Sequence, residues 1–204
     1  MMQAIADEMG VKCVIDDMAF DSVLPSVQSG LDDMALAALS PTAERKEAFT
    51  FSESYLSHGQ LALVRAEDAD KFKDASAMVA GVTMGAQKGS YQQTVAEHYY
   101  PDCTGRYMET IPNVIMDLKA GRVDVIAVDQ VLGEYTNKNL GGEMKECSYD
   151  LGDDYYVIGF AKDNTELRDK VNDAIGKLYE NGEAAKISEN WFGKDIVVFE
   201  PLED

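Results

Sequence analysis

Apolar positions along the chain change period several times. Met2, Ile5, Ala6 and Met9 lie three to four residues apart and Gly10 follows, which predicts a first helix with a glycine cap. Lys12–Ile15 reads as a short strand. A second helix is predicted from near Asp21, carrying Leu24 and Val27, to the stop at Ser29-Gly30. Met34–Leu39 is a continuous apolar run, suited to a strand buried on both faces. Helix, strand, helix, strand implies parallel strands covered by helices, an α/β architecture.

A strand follows over 60–65, then a charged surface connection over Ala66–Asp74. A second α/β series begins there. Strands are predicted within Val79–Ala86, at Arg106–Met108 and at Val123–Val128. Helices are predicted over Ser90–Tyr99 and along Ile111, Val114, Ile115 and Leu118. Tyr155–Ala161 is a further strand. Leu167, Val171, Ala174, Ile175 and Leu178 form the apolar stripe of a long helix, and a last helix runs from about Glu183 to Trp191. Two series joined by strand-like crossings predict two lobes: residues 1–66 with 155–204, and residues 67–154. Two extended crossings can bend with small backbone changes, so a hinge is expected.

Charge narrows the partners. In 204 residues, 18 Lys and Arg face 37 Asp and Glu, a net charge of −19. That balance argues against nucleic acid and against an anionic membrane face. Apolar residues at 46% place the chain among globular proteins. Cys13, Cys103 and Cys147 are far apart, and with only two histidines they argue against a zinc site. A Cys103–Cys147 disulfide stays open. No P-loop, G-x-S-x-G or H-E-x-x-H pattern is found, so neither a cofactor nor an enzymatic activity is expected.

Ligands of open α/β sheets bind beyond the carboxyl ends of the strands. Three such ends carry chemistry here. After Met34–Leu39 come Ser40, the capping residue Thr42, and Arg45 in a first helical turn, where a cation is unfavourable unless it holds an anion. A solvated arginine beside Glu44 or Glu47 is the plainer alternative. After the next strand, Gly89 precedes Ser90, and Ser90 with Gln93 matches the capping box S-x-x-Q. The free N–H groups of that helix start can bind an anion, or simply form a capped helix. Asp129 ends the apolar run Val123–Val128, where a carboxylate needs a partner such as an ammonium or a backbone N–H. Two anion devices and one carboxylate suit a zwitterion, the charge pattern of an α-amino acid.

The segments FDSVLPSVQSG (20–30), ALSPTAERKEAFTFSESYLSHGQLALV (38–64), GAQKGSYQQ (85–93), LKAGRVDVIAVD (118–129) and NGEAAKISENWFG (181–193) carry a resemblance. The chain resembles the extracytoplasmic solute-binding proteins of polar amino-acid ABC transporters, of the type II periplasmic-binding-protein fold. The resemblance implies that Arg45 grips a ligand carboxylate with the Ser40 hydroxyl beside it, and that the Ala38 carbonyl accepts from the α-ammonium. Ser90 and the Tyr91 amide would meet the carboxylate from the second lobe, with Gly89 allowing close approach, and Asp129 would pair with the ammonium. Phe51 and Tyr55 resemble core or wall residues. Ala38 and Tyr91 depart from the small residues common there, and Tyr91 would narrow the pocket. The implied partners are an amino acid and an ABC permease, outside the cytoplasm. A receptor domain or a cyclohexadienyl-dehydratase-like enzyme would be alternatives on the same fold; the latter needs a poised acid and base, and His58, in a predicted loop, and His98, late in a helix, read as surface residues. The family opens with a strand and a Gly-rich turn ahead of the Met1–Met9 helix. Against that pattern the first lobe is expected to be incomplete, without the opening strand and export signal, and a strand-exchanged dimer is a candidate assembly.

Overall fold

The computed structural model describes residues 1–139, 143–147 and 153–202, with the side chains at 153 and 154 left aside. In chain order the elements are α1 (Met2–Met9), α2 (Phe20–Gln28), β1 (Ala35–Leu39), α3 (Ala43–Ala48), β2 (Phe49–Phe51) and β3 (Leu56–Arg65). Then come β4 (Thr83–Gln87), α4 (Tyr91–Tyr99), β5 (Thr104–Met108), α5 (Ile111–Lys119), β6 (Val125–Asp129), α6 (Gln130–Asn139), β7 (Met144–Cys147), β8 (Asp153–Ala161), α7 (Thr165–Glu180) and α8 (Glu183–Phe192). They divide into two compact units. One comprises Met1–Met18, Ser22–His58 and Asp154–Asp204, and the other Ala19–Asp21 and Gly59–Asp153. Apart from the short excursion at Ala19–Asp21, the chain passes from one unit to the other inside β3 and again at the start of β8.

In the first unit β1 and β2 both pair antiparallel with β8. The parallel arrangement expected from the helix–strand alternation does not hold for these pairs. No βα crossover leads from β1 to β8; the whole second unit intervenes, so nothing fixes the direction of β8 to that of β1. Ile5 of α1 and Val171, Ala174, Ile175 and Leu178 of α7 cover Tyr156, Ile158 and Phe160. The helical stripe predicted for α7 is the face it buries. Ser52 joins β2 to β8: its N–H donates to the Ile158 carbonyl, and its hydroxyl accepts from the Ile158 N–H at 2.9 Å.

Two expectations fail here. Residues 11–19 have no regular structure, and Val14 and Ile15 are 68% and 72% exposed, so Lys12–Ile15 is not a strand. A short β-branched run becomes a strand only with a ladder partner, and among the described residues β1 pairs with β8 alone. β1 is also not buried on both faces: Ala35 and Leu39 are buried, whereas Ala38 is exposed.

The second unit holds a sheet in the order β7-β3-β6-β4-β5, with β6-β4-β5 parallel and β3 antiparallel to both β6 and β7. Side chains alternate between its two faces. Ala62, Val64, Met84, Val125 and Ala127 pack with Val95 and Ala96 of α4. Leu63, Ile126 and Val128 pack with Val114 and Leu118 of α5. A strand buried on both faces has to be apolar throughout, which is why Val125–Val128 reads as an unbroken run. Gly85 lies where β4 meets α5; a Cβ there would stand 3.2 Å from Ile126 and Val114 methyls. The connection over Ala66–Asp74 is not wholly on the surface, since Phe72 is fully buried in the α4-side core. No disulfide joins the three described cysteines; Cys147 is buried and Cys103 half-buried.

Candidate functional site

In the first unit, the turn after β1 brings Ser40 and Arg45 together. Thr42, in extended backbone, caps α3: its hydroxyl accepts from the Arg45 N–H at 3.3 Å. This fixes the first turn of a helix only six residues long. It places the Arg45 side chain so that Nη1 donates to the Ser40 carbonyl at 2.8 Å. Arg45 is half-buried and Ser40 buried. The guanidinium therefore folds back over the turn that carries Ser40. Ala38, two residues before Ser40, adopts φ 52°, alone among the described non-glycine residues. The left-handed region costs an L-residue with a Cβ about 1–2 kcal/mol. The register of β1 against β8 shifts between Ala35 and Leu39, so the backbone turns out of the ladder at that point.

In the second unit, Gly89, Ser90 and Tyr91 form the start of α4. The Ser90 hydroxyl accepts from the Gln93 N–H at 3.2 Å and donates to the Gln87 carbonyl at 2.7 Å. The Gln93 side chain reaches back as the capping box predicts, but one residue further, accepting from the Gly89 N–H at 2.8 Å. Gly89 has φ +73°, and a Cβ on it would lie 3.1 Å from Asp21 Cβ. Asp21 in turn pairs with Lys88 at 2.8 Å. Glycine is thus demanded both by backbone conformation and by the approach of the Asp21 segment. Tyr91 is half-buried and packs against the α4-side core.

Asp129 ends β6, opposite Gln60 of β3. Its Oδ1 accepts from Gln92 Nε2 at 2.8 Å and from Gln60 Nε2 at 3.3 Å, and Gln92 Nε2 also donates to Gln60 Oε1 at 2.7 Å. Both glutamines are buried. Through Gln92, the carboxylate at the end of β6 is tied to the first turns of α4. Within this unit the positive end of a helix and a fixed carboxylate are therefore joined. Sequence reasoning passed over Gln60 and Gln92. A signal was present: Gln60 shares the inward face of Ala62 and Val64, and a polar side chain on a buried face needs a partner.

The histidines differ from one another. His98 is exposed near the end of α4. His58 is not a surface loop residue as expected. It lies in β3, is 4% exposed, and packs on the Tyr156 ring with centroids 3.9 Å apart. Tyr55, 6.1 Å from Tyr156, and Phe51 are buried in the same unit.

Comparisons with known proteins agree on one group. The pattern of the family described as bacterial extracellular solute-binding proteins, family 3, matches residues 1–194. The arginine-binding periplasmic protein of Mannheimia haemolytica is 30% identical over 195 residues, covering 93% of this chain and 78% of that protein. The arginine-binding extracellular protein ArtP of Bacillus subtilis is 26% identical over 200 residues, covering 94% and 75%. A crystal structure of an amino acid ABC transporter substrate-binding protein from Streptococcus pneumoniae, bound to L-arginine, superposes with a TM-score of 0.88 at 32% identity, covering 96% of this chain and 82% of that one.

Proposed function

The chain belongs to the bacterial extracellular solute-binding proteins of family 3, and from that premise we propose that it binds one free amino acid outside the cytoplasm and hands it to an ABC permease. Arg45 grips the α-carboxylate through two N–H groups, with the Ser40 hydroxyl beside it. The Gly89–Tyr91 segment at the start of α4 offers further N–H donors to the same carboxylate. Asp129 and the Ala38 carbonyl take the α-ammonium. The observation that carries this reading is the Gln92 bridge, which sets a carboxylate beside a capped helix start. An anion donor and an ammonium acceptor held by one amide match the two poles of a zwitterion. The two units act as lobes that swing about the chain crossings and shut over the ligand.

An amino acid of about ten heavy atoms can reach micromolar affinity, roughly −8 kcal/mol, within the ceiling for small ligands. The names of the relatives put arginine first among the ligands to test. Calorimetry with the twenty amino acids should give at least one with micromolar affinity. Arg45→Ala should weaken it by about 3–5 kcal/mol, because the ligand carboxylate is left without its counter-charge. Absence of binding by every amino acid sinks the proposal, and a loss under tenfold removes Arg45 from the site.

A further inference from the structure

α5 and α6 lie on the same face of the second unit's sheet. α5 packs through Val114 and Leu118 against Ile126 and Val128. α6 comes close through Gly133, where a Cβ would stand 2.9 Å from a Val128 methyl and 3.0 Å from a Leu61 methyl. Between the two helices a groove of about 790 Å3 remains. Ile111, Ile115 and Met116 line it from α5, and Leu132, Tyr135 and Thr136, one turn apart, line it from α6. The apolar lining reaches the surface: Met116 is 60% and Tyr135 59% exposed. A largely apolar groove with a few polar groups, within the roughly 300–1,000 Å3 of small-ligand pockets, has the character of a ligand site.

The charge of the lining selects the occupant. The chain has 37 acids to 18 bases, yet the described lining holds Lys119 and Arg122 and neither Asp nor Glu. Lys119 ends α5 and Arg122 follows it, so both cations stand at one end of the groove. Their acidic partners are outside the lining: Glu143 lies 2.6 Å from Lys119 Nζ, and Asp117 grips the Nε–Nη2 edge of Arg122. Apolar walls that end in two cations match a molecule with an apolar body and an anionic head. We propose that this groove binds a small amphipathic carboxylate, its hydrocarbon body along α5 and its carboxylate at Lys119 and Arg122. From Ile111 to Lys119 α5 runs about 12 Å, room for a medium-length alkyl chain. The site lies within Gly59–Asp153, and none of its residues is assigned to the amino-acid site, so it does not rest on that reading.

The test uses the whole chain and decanoate, kept below the concentration at which it forms micelles. Calorimetry should show saturable binding, and hydrogen exchange should slow over residues 111–120 and 131–136. Decanol and decyltrimethylammonium, which keep the chain but not the negative head, should bind at least tenfold more weakly. Met116→Glu places a carboxylate in the groove and should weaken decanoate at least tenfold, whereas Met116→Lys should not. Met116 is a surface position on a helix, and both variants should melt as the parent does. The proposal is overturned by any of five results. These are no saturable binding, equal binding of decanol, protection that spares both helices, undiminished affinity in Met116→Glu, or self-association of the ligand-free chain that protects the same helices. The last would assign the groove to a second copy.

Discussion

Ala38 concentrates the strain of the candidate site in one residue. Its left-handed backbone lets the chain leave β1 and place Ser40 and Arg45 on the next turn, at a cost glycine would not bear. Ala38→Gly should therefore raise stability, by up to about 1 kcal/mol after the added freedom of the unfolded glycine is subtracted. Urea unfolding checks it, and an unchanged or lowered midpoint would mean that the surroundings carry no such strain. The Thr42 and Ser90 caps were legible in the sequence, because capping acts over three residues and leaves its mark locally. The Gln60–Gln92–Asp129 cluster was not. Its members come from β3, α4 and β6, and only the fold brings them together.

At the scale of elements, the same distinction between local and distant holds. α7 and β6 announce themselves because each carries its full periodicity within its own span. α6 follows β6 without a loop and is mostly polar, with Gly133 in its middle, so no stripe marks it. β7 spans four residues, two of them exposed and charged, and exists through its pairing with β3. The antiparallel ladder of β1 with β8 joins residues more than a hundred positions apart, which no local pattern reveals.

α5 also supplies a charged clasp. Asp117, nearly buried, accepts from Arg106 Nε of β5 at 2.7 Å and from Arg122 just beyond the helix, while its carbonyl accepts the N–H groups of Arg122 and Val123. The Arg106 hydrogen bond first, then that of Arg122, outweighs desolvation and holds the Asp117 carboxyl below the ordinary carboxylate range. A depressed folded value means that this stabilisation is fully present above the unfolded value of about 3.9 and fades as pH falls through the folded one. Asp117→Asn should cost roughly 1–3 kcal/mol at pH 7, since both arginines are half-exposed. The difference from the parent should shrink below pH 4. Thermal unfolding across pH 2.5–7 measures it, and a gap that persists undiminished at pH 2.5 would refute the ionic origin.

For the whole molecule, the proposed hinge makes a prediction about size. A ligand held by both lobes shifts the population toward the closed form only by its differential affinity for that form. Small-angle scattering should show the radius of gyration falling on saturation with the ligand found by calorimetry, and Asp129→Asn should demand more ligand for the same change. An unchanged radius in the presence of tight binding would speak against closure. The net charge of −19 sets a broad field but no ligand, because salt screens it within about 8 Å at physiological strength.

The first unit cannot finish its core until late in synthesis. Ile5 and Tyr55 wait for Tyr156, Phe160 and the face of α7, while Gly59–Asp153 already contains both layers that its own sheet needs. On the ribosome the later-numbered middle would then mature before the beginning. For that interval the apolar side chains of Ile5, Tyr55 and Leu56 lack the partners that bury them in the finished unit.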